Sequence, residues 1–194
     1  MPGRLGLPPV TGTGYVAFTD PSGGSSDAFT LAVAHGEDRD STRVAVLDYL
    51  TERRPPFSPD AVVAEYAAAL KSYGVTKVQA DKYAGQWVVE AFTKHGITCE
   101  QSAEPKSVIY GNVLPLLNSQ RVELLDHPRL QAQLLGLERR TARGGRDTID
   151  HPPSGHDDLA NAAAGALLAA VGPSEPALLV YYRRLAAEAG IAVS

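Results

Sequence analysis

Apolar residues in the first fifty positions follow the pattern of β-strands. Residues 14–20 (GYVAFTD) are rich in β-formers and precede a cluster of turn residues, PSGGSSD. Two further apolar runs, AFTLAVAH at 28–35 and RVAVLDYL at 43–50, are joined by the polar segment GEDRDST. This spacing predicts a meander of three antiparallel strands.

Beyond residue 57 the apolar period alternates between that of a helix and that of a strand. Helices are predicted over 58–74, 85–95, 107–119, 127–137 and 157–171. Strands are predicted over 75–81 and 98–102, with a candidate short strand at 121–125 and a loop or hairpin at 138–155. The order predicts a mixed α/β fold with an antiparallel half followed by a parallel half.

Composition narrows the class of protein. The 194 residues are 44% hydrophobic and 21% charged, which is typical of one soluble globular domain. No run approaches the roughly 18 apolar residues of a membrane span. The single cysteine, Cys99, excludes an internal disulfide, zinc ribbons and thiol redox motifs, and indicates a reducing compartment. With a net charge of -4, any binding of DNA needs a local basic patch, metal ions or a partner domain.

Four aspartates are the candidate chemical groups. Asp20 and Asp81 each end a predicted strand, and ligands of open α/β sheets bind beyond the carboxyl ends of strands. Asp157 and Asp158 open a helix lined with alanine and glycine, which can approach a sheet closely. Two like charges about 4 Å apart repel by roughly 4 kcal/mol at an effective dielectric constant near 20, so such a cluster needs a cation. Hard oxygen ligands suit Mg²⁺ or Mn²⁺, and two such ions can clamp a phosphoryl group.

Structural roles for the same residues stay open at this stage. Asp20 can start the turn that follows it, and Asp157 or Asp158 can cap the last helix. Asp81 has no evident capping role. Trp87 is expected in the core rather than in contact with a nucleobase.

A basic patch lies within the predicted loop or hairpin. It comprises Arg139, Arg140, Arg143 and Arg146, which flank two glycines. We expect this hairpin to guide the DNA backbone, the alternative being a solvated loop. Lys82, next to Asp81, can offset charge near a phosphate or simply be exposed.

Three long segments resemble the C-terminal nuclease domain of tailed-phage terminase large subunits. They span 15–35, 53–92 and 104–167 and include the runs YVAFTD, VTKVQAD and GHDDLANAAAGAL. The resemblance implies a ribonuclease H-like mixed sheet flanked by helices. Its nuclease acids match Asp20, Asp81 and the Asp157–Asp158 pair, either of which can be the direct metal ligand.

The resemblance also implies a biological setting. The expected activity is endonucleolytic cutting of concatemeric double-stranded DNA with two Mg²⁺ or Mn²⁺ ions. The expected place is the cytoplasm of an infected bacterial host, or of a bacterium that carries the gene in a prophage. The implied partners are the terminase ATPase domain, the small subunit and the portal. The sequence has no GxxxxGK[ST] loop, so we assign no ATP hydrolysis to it.

The expected organisation is a tail or linker remnant at 1–13, a nuclease domain at 14–171 and a tail with a short helix at 172–194. Two other functions are compatible with this sequence. One is a Holliday-junction resolvase-like nuclease, which would prefer branched DNA. The other is a non-catalytic docking module of a packaging motor, which would bind metal without cutting.

Overall fold

The computed structural model describes residues 3–141 and 147–172. The strands are β1 (Tyr15–Asp20), β2 (Phe29–Arg39), β3 (Thr42–Arg53), β4 (Lys77–Ala80), β5 (Thr98–Gln101), β6 (Val122–Glu123), β7 (Glu138–Thr141) and β8 (Asp147–Asp150). The helices are α1 (Pro59–Ser72), α2 (Gln86–Lys94), α3 (Lys106–Asn118), α4 (Pro128–Leu135) and α5 (Asp158–Val171). The predicted succession of strands and helices is therefore confirmed over the described residues. The short helix predicted within 172–194 lies outside them.

Six strands form one sheet in the order β5-β4-β1-β2-β3-β6. The pairs β1–β2 and β2–β3 are antiparallel, whereas β4 lies parallel to β1, β5 parallel to β4 and β6 parallel to β3. The mixed sheet that the sequence predicts is thus confirmed. Because β1 and β4 are parallel neighbours, their carboxyl ends lie at the same edge of the sheet.

The β2–β3 hairpin is longer than the apolar pattern indicates. The polar segment 36–42 continues both strands and turns at Asp40 and Ser41, whose φ angles are 47° and 65°. Two consecutive residues with positive φ give the twist that favours a tight antiparallel hairpin. Polar side chains extend the strands here because this end of the hairpin is largely exposed to solvent.

The sheet buries a separate core on each face. Helices α3, α4 and α5 cover the face of Phe18 and Leu47, and α1 and α2 cover the face of Ala17 and Leu31. Alternate residues of one strand point to opposite faces, so neighbouring Ala17 and Phe18 belong to different cores. Helix α5 lies very close to β1, since a Cβ atom on Gly165 would overlap the Phe18 ring. The close approach expected from its alanine and glycine content is confirmed.

Two peripheral segments attach to this sheet. The strands β7 and β8 form an antiparallel hairpin, joined to α3 by a 2.8 Å hydrogen bond from the Ile149 backbone N–H to Ser107. Near the start of the chain, the Leu7 N–H donates to the Asp48 carbonyl at 2.8 Å. Across the described ranges no helix combines the length and the apolar character that crossing a membrane requires.

Candidate metal centre

Asp20 and Asp81 lie side by side at the carboxyl edge of the sheet. The register pairs Thr19 with Ala80, so each aspartate is the next residue along its chain segment. The Asp81 backbone N–H donates to the Thr19 carbonyl at 3.0 Å, which extends the pairing to the acid itself. Parallel pairing therefore brings together two carboxylates that are 61 residues apart in the sequence.

The side chain of Asn161 joins these two carboxylates. Its amide nitrogen lies 2.9 Å from Oδ2 of Asp20 and 3.2 Å from Oδ2 of Asp81. Asn161 is only 1% exposed, and its Oδ1 has no hydrogen-bond partner among the described residues. Asn161 was not among the site residues predicted from the sequence. Its position three residues after Asp158, on the same face of a helix, is the signal that could have predicted it.

Asp158 is the first residue of α5 and is 9% exposed. Thr30 holds this helix end by donating to the Asp158 carbonyl at 2.9 Å. Within the described part of the chain, its carboxylate Oδ2 is buried and has no hydrogen-bond partner. Burial raises the pKa of Asp158, and the negative charges of Asp27 and Asp157 act in the same direction. Such an oxygen, buried and unpaired, is suited to accept a cation.

The carboxylate of Asp157 has different partners. Lys106 Nζ lies 3.0 Å from its Oδ2, and the Tyr110 hydroxyl donates to the same oxygen at 2.9 Å. Asp157 is the residue that precedes α5, but its side chain makes no capping hydrogen bond. The adjacent aspartates 157 and 158 therefore occupy distinct environments, one ion-paired and the other without a described partner on Oδ2.

A second acidic group lies near the start of α5 and comprises Asp150, His151 and Asp157. Each of the three offers a possible metal-ligand atom, and these atoms lie within 4.8 Å of one another. Within residues 3–141 and 147–172, no other group of three such residues is as close together. The Lys106 ammonium already lies in this group, 2.7 Å from Asp150 and 3.0 Å from Asp157. Burial lowers the pKa of Lys106, but its hydrogen bonds and ion pairs with the two aspartates outweigh burial and raise it. A metal here would have to displace a charged lysine.

Burial, together with neighbouring negative charges, makes an ionised Asp20 unfavourable without a cation. The pKa of Asp20 is raised to about 8, mainly by burial and also by the charges of Asp81, Asp158 and Asp157, while the hydrogen bond from Asn161 lowers it. At neutral pH, metal-free Asp20 therefore keeps its proton. Carboxylate oxygens, such as those of Asp20, Asp81 and Asp158, are ligands of the kind that Mg²⁺ or Mn²⁺ prefers. Within the described residues, these three carboxylates do not lie within 4.8 Å of one another as a group.

An open pocket of about 300 Å³ adjoins Asp20 and Asp81. Its wall includes two aromatic residues of the segment after β4, Tyr83 and Trp87, both at least partly exposed to solvent. The expectation that Trp87 belongs to the core is only partly met, because its ring contacts Phe29 but the residue is 38% exposed.

The predicted DNA-binding residues that the structure describes are exposed. Arg139 pairs with Asp147 and Arg140 with Glu138, all on the β7–β8 hairpin. Arg143 and Arg146 lie outside the described residues. Lys82 is exposed, and its ammonium donates to the Ala103 carbonyl at 2.8 Å. Exposed ion pairs contribute little to stability, so both described arginines can exchange their carboxylate partners for phosphates.

No protein-family model and no curated protein sequence matches this chain. Solved structures do match. The large terminase nuclease from thermophilic phage G20c aligns with a TM-score of 0.68 and 18% identity, over 82% of this chain and 84% of that one. The large terminase nuclease domain of Thermus phage P74-26 aligns with a TM-score of 0.60 and 18% identity, over 84% and 89% of the two chains.

A third similar structure is the nuclease domain of the large terminase subunit of bacterial virus Sf6. It aligns with a TM-score of 0.57 and 16% identity, over 89% of this chain and 92% of that chain. The G20c nuclease has been solved with bound magnesium and with bound cobalt, and the Sf6 domain with manganese. These likenesses confirm the ribonuclease H-like fold that the sequence resemblance implies.

Proposed function

We propose that this chain is the metal-dependent DNA endonuclease domain of a phage terminase large subunit, which cuts concatemeric DNA during genome packaging. One observation carries the proposal. The side-chain amide of Asn161, in α5, is hydrogen-bonded to the carboxylates of both Asp20 and Asp81. The same helix begins with Asp158, which has a buried carboxylate oxygen without a hydrogen-bond partner among the described residues. The fold shared with terminase nucleases supports it.

In this proposal Asp20, Asp81 and Asp158 hold two Mg²⁺ or Mn²⁺ ions. Bound ions of this kind lower the pKa of a water nucleophile and stabilise the charge that develops on the phosphate. Asp158 is the ligand from α5 because its Oδ2 is buried without a described partner, whereas Asp157 already accepts hydrogen bonds from Lys106 and Tyr110. Asp157 is then a positioning residue that ties the start of α5 to α3.

Other side chains of the domain prepare this site. Asn161 bridges Asp20 and Asp81 with a neutral amide, so it gathers the two carboxylates without adding a third charge. Lys106 forms ion pairs with both Asp157 and Asp150, the last residue of β8. These ion pairs connect the β7–β8 hairpin, which carries the arginines, to the start of α5. A hairpin fixed at that point can lead a DNA backbone toward Asp20. We call the edge of the sheet that carries Asp20 and Asp81 the catalytic edge.

The DNA contacts come from the basic residues of the sequence, and the partners and the setting come from the resemblance. The arginines at 139, 140, 143 and 146, together with Lys82, bind the phosphates of double-stranded DNA. The terminase ATPase domain, the small subunit and the portal supply force and targeting, in the cytoplasm of the infected host. These partners would select the cutting position, because phosphate contacts carry no sequence information.

Cleavage of supercoiled plasmid tests this function. The chain is incubated with Mn²⁺, Mg²⁺ or EDTA, and we expect nicked and linear DNA only with the metals. Asp20→Asn, Asp81→Asn and Asp158→Asn should abolish cleavage, whereas Asp157→Asn should lower it and leave it measurable. The matched control, Asp40→Asn, makes the same chemical change at an exposed turn and should cut like the parent.

Four results would contradict the proposal. Cleavage in EDTA would exclude metal dependence, and normal cleavage by Asp20→Asn or Asp81→Asn would place the site elsewhere. Metal binding, measured by calorimetry, without any cleavage would instead identify a docking module. A strong preference for four-way junctions over linear duplex would favour a resolvase.

A further inference from the structure

The pocket beside the catalytic edge has an unusual composition for a site that receives DNA. Its lining, within the described part of the chain, consists of Asp20, Pro21, Gly23, Asp81, Tyr83, Ala84, Gly85 and Trp87. Two of these eight residues are acidic, two are aromatic and the other four are uncharged. A phosphate would be repelled by the acids unless a metal lay between them, so the part of the pocket away from the metal favours an uncharged group.

Tyr83 is held out toward solvent by the backbone. It is 79% exposed, and its N–H donates to Oδ1 of Asp81 at 2.9 Å, which forms a tight turn directly after β4. The turn is closed by a 2.9 Å hydrogen bond from the Ala84 N–H to the Asp81 carbonyl. The residue therefore lies two positions from a proposed metal ligand, with most of its surface available for binding.

Trp87 is packed against the protein on one side. Its ring meets Phe29 edge-on, with centroids 6.2 Å apart and planes at 86°. The indole also lies against Gly85, where an added Cβ would be only 2.8 Å from a ring carbon. The φ angle of Gly85 is one that any residue adopts, so the backbone does not require glycine here. A side chain is excluded because the indole occupies the space. The residue keeps 38% of its surface exposed while lining the pocket.

We propose that Tyr83 and Trp87 bind an unstacked nucleobase of the DNA strand whose phosphate lies at Asp20 and Asp81. The inference rests on the proposed function, because the catalytic edge must hold a phosphodiester for a base to reach this pocket. A nucleobase is planar and uncharged, so it suits a wall of aromatic rings and acids. Stacking of this kind tolerates any base, because every base has an aromatic face.

The fluorescence of Trp87 reports on this pocket directly, since the chain has one tryptophan. The probe is a single-stranded oligothymidine, added in Ca²⁺, with its integrity checked on a gel. We expect quenching that saturates with the oligomer. An otherwise identical oligomer with abasic sites should bind more weakly and quench little. Equal quenching by both oligomers would mean that the rings contact the sugar or backbone, and would overturn the proposal.

Variants separate the aromatic ring from other properties of Tyr83. Tyr83→Leu keeps apolar bulk and should weaken binding of the oligothymidine by about 5-fold to 150-fold, whereas Tyr83→Phe should bind like the parent. Gly85→Ala should also weaken binding, because its methyl group displaces the indole. The control Leu135→Ala removes an apolar side chain that is 86% exposed and outside the pocket, and should change nothing. Parent-like binding by Tyr83→Leu would overturn the proposal.

Failure of this inference is distinguishable from failure of the nuclease function. If Tyr83→Leu binds the oligomer normally while the parent cuts plasmid with Mn²⁺, the base-binding role is wrong and the nuclease role stands. If the parent never cuts plasmid but shows base-dependent quenching that Tyr83→Leu abolishes, the pocket binds bases and the nuclease role is wrong.

Discussion

Replacing Asp20 by asparagine is expected to change how the metal-free protein responds to pH. In EDTA the folded chain holds a proton on Asp20 up to a pKa of about 8, against 3.8 for an ordinary aspartate. Asparagine is nearly the same shape as the protonated carboxyl group and has no charge to develop. Asp20→Asn should therefore match the parent at low pH and exceed it in stability at high pH.

The sign and size follow from proton linkage. Below about pH 4 both the folded and the unfolded parent hold the proton, so Asp20 does not lower the free energy of unfolding there. Above that the folded state alone holds it, and the free energy of unfolding falls by about 1.4 kcal/mol per pH unit until the pKa of the folded state is passed. From pH 6 to pH 9, the free energy of unfolding of the parent should therefore fall relative to that of the variant by about 2.7 kcal/mol. This fall corresponds to the slope acting over the roughly two pH units between pH 6 and the pKa of Asp20. For a domain of this size that corresponds to about 5 to 11 °C in melting temperature.

Differential scanning fluorimetry in EDTA at half-unit pH steps measures this difference. The matched control is Asp40→Asn, whose exposed carboxyl lies in the β2–β3 turn, and its curve should run parallel to that of the parent. If the curves of Asp20→Asn and the parent also run parallel from pH 6 to pH 9, Asp20 is not held protonated and the reasoning fails.

The same proton opposes metal binding. Because Mn²⁺ binds the ionised carboxylate, its affinity for the parent should rise by about tenfold per pH unit between pH 6 and pH 8 and then level off. Isothermal calorimetry in two buffers of different ionisation enthalpy should show a proton released on binding at pH 6.5. No proton release would contradict the raised pKa of Asp20.

Three further predictions concern metal, DNA and packing. Saturating Mn²⁺, at about 100 times its Kd, should raise the parent's melting temperature by about 5 to 11 °C. In EDTA, Asp81→Asn should melt at or above the parent, and Mn²⁺ should raise its melting temperature less. An equal rise in the variant and the parent would exclude Asp81 as a ligand. Replacing Arg139 and Arg140 with alanine should flatten the salt dependence of DNA binding without changing metal affinity. The slope of log K against log salt, measured by fluorescence anisotropy, should fall by about 0.9 for each phosphate that the variant no longer neutralises. An unchanged slope would mean that the DNA binds elsewhere. Gly165→Ala should cost about 1 to 3 kcal/mol in chemical denaturation because its methyl group overlaps a β1 ring, whereas Gly111→Ala, on an exposed helix position with open space, should be neutral or stabilising.

The order of elements and two of the candidate acids could be predicted from the sequence because their signals are local. Apolar residues typical of strands mark β1 and β4, and each run ends on an aspartate, so Asp20 and Asp81 are predicted at strand ends before any pairing is known. The rule that parallel strands present their carboxyl ends at one edge then places both acids together. The composition of α5, rich in alanine and glycine, likewise predicts that this helix lies close to the sheet.

Tertiary structure decided the features that depend on partners distant in the sequence. The spacing of Asn161 from Asp158 places it on the same helix face, but the carboxylates that it joins lie 141 and 80 residues away, and only the folded sheet brings them within its reach. The adjacent acids at 157 and 158 differ because Lys106, 51 residues before the first of them, reaches its carboxylate.

The exposure of Trp87 was also decided by tertiary structure. Helical spacing indicates which face of α2 is apolar, but the space left by Gly85 and the edge of Phe29 determine how far the indole reaches into solvent. Periodicity acts over a few residues and determines secondary structure. The chemistry of this edge depends on which side chains the folded sheet brings within hydrogen-bonding distance, and that distance is set by strand pairing and helix packing.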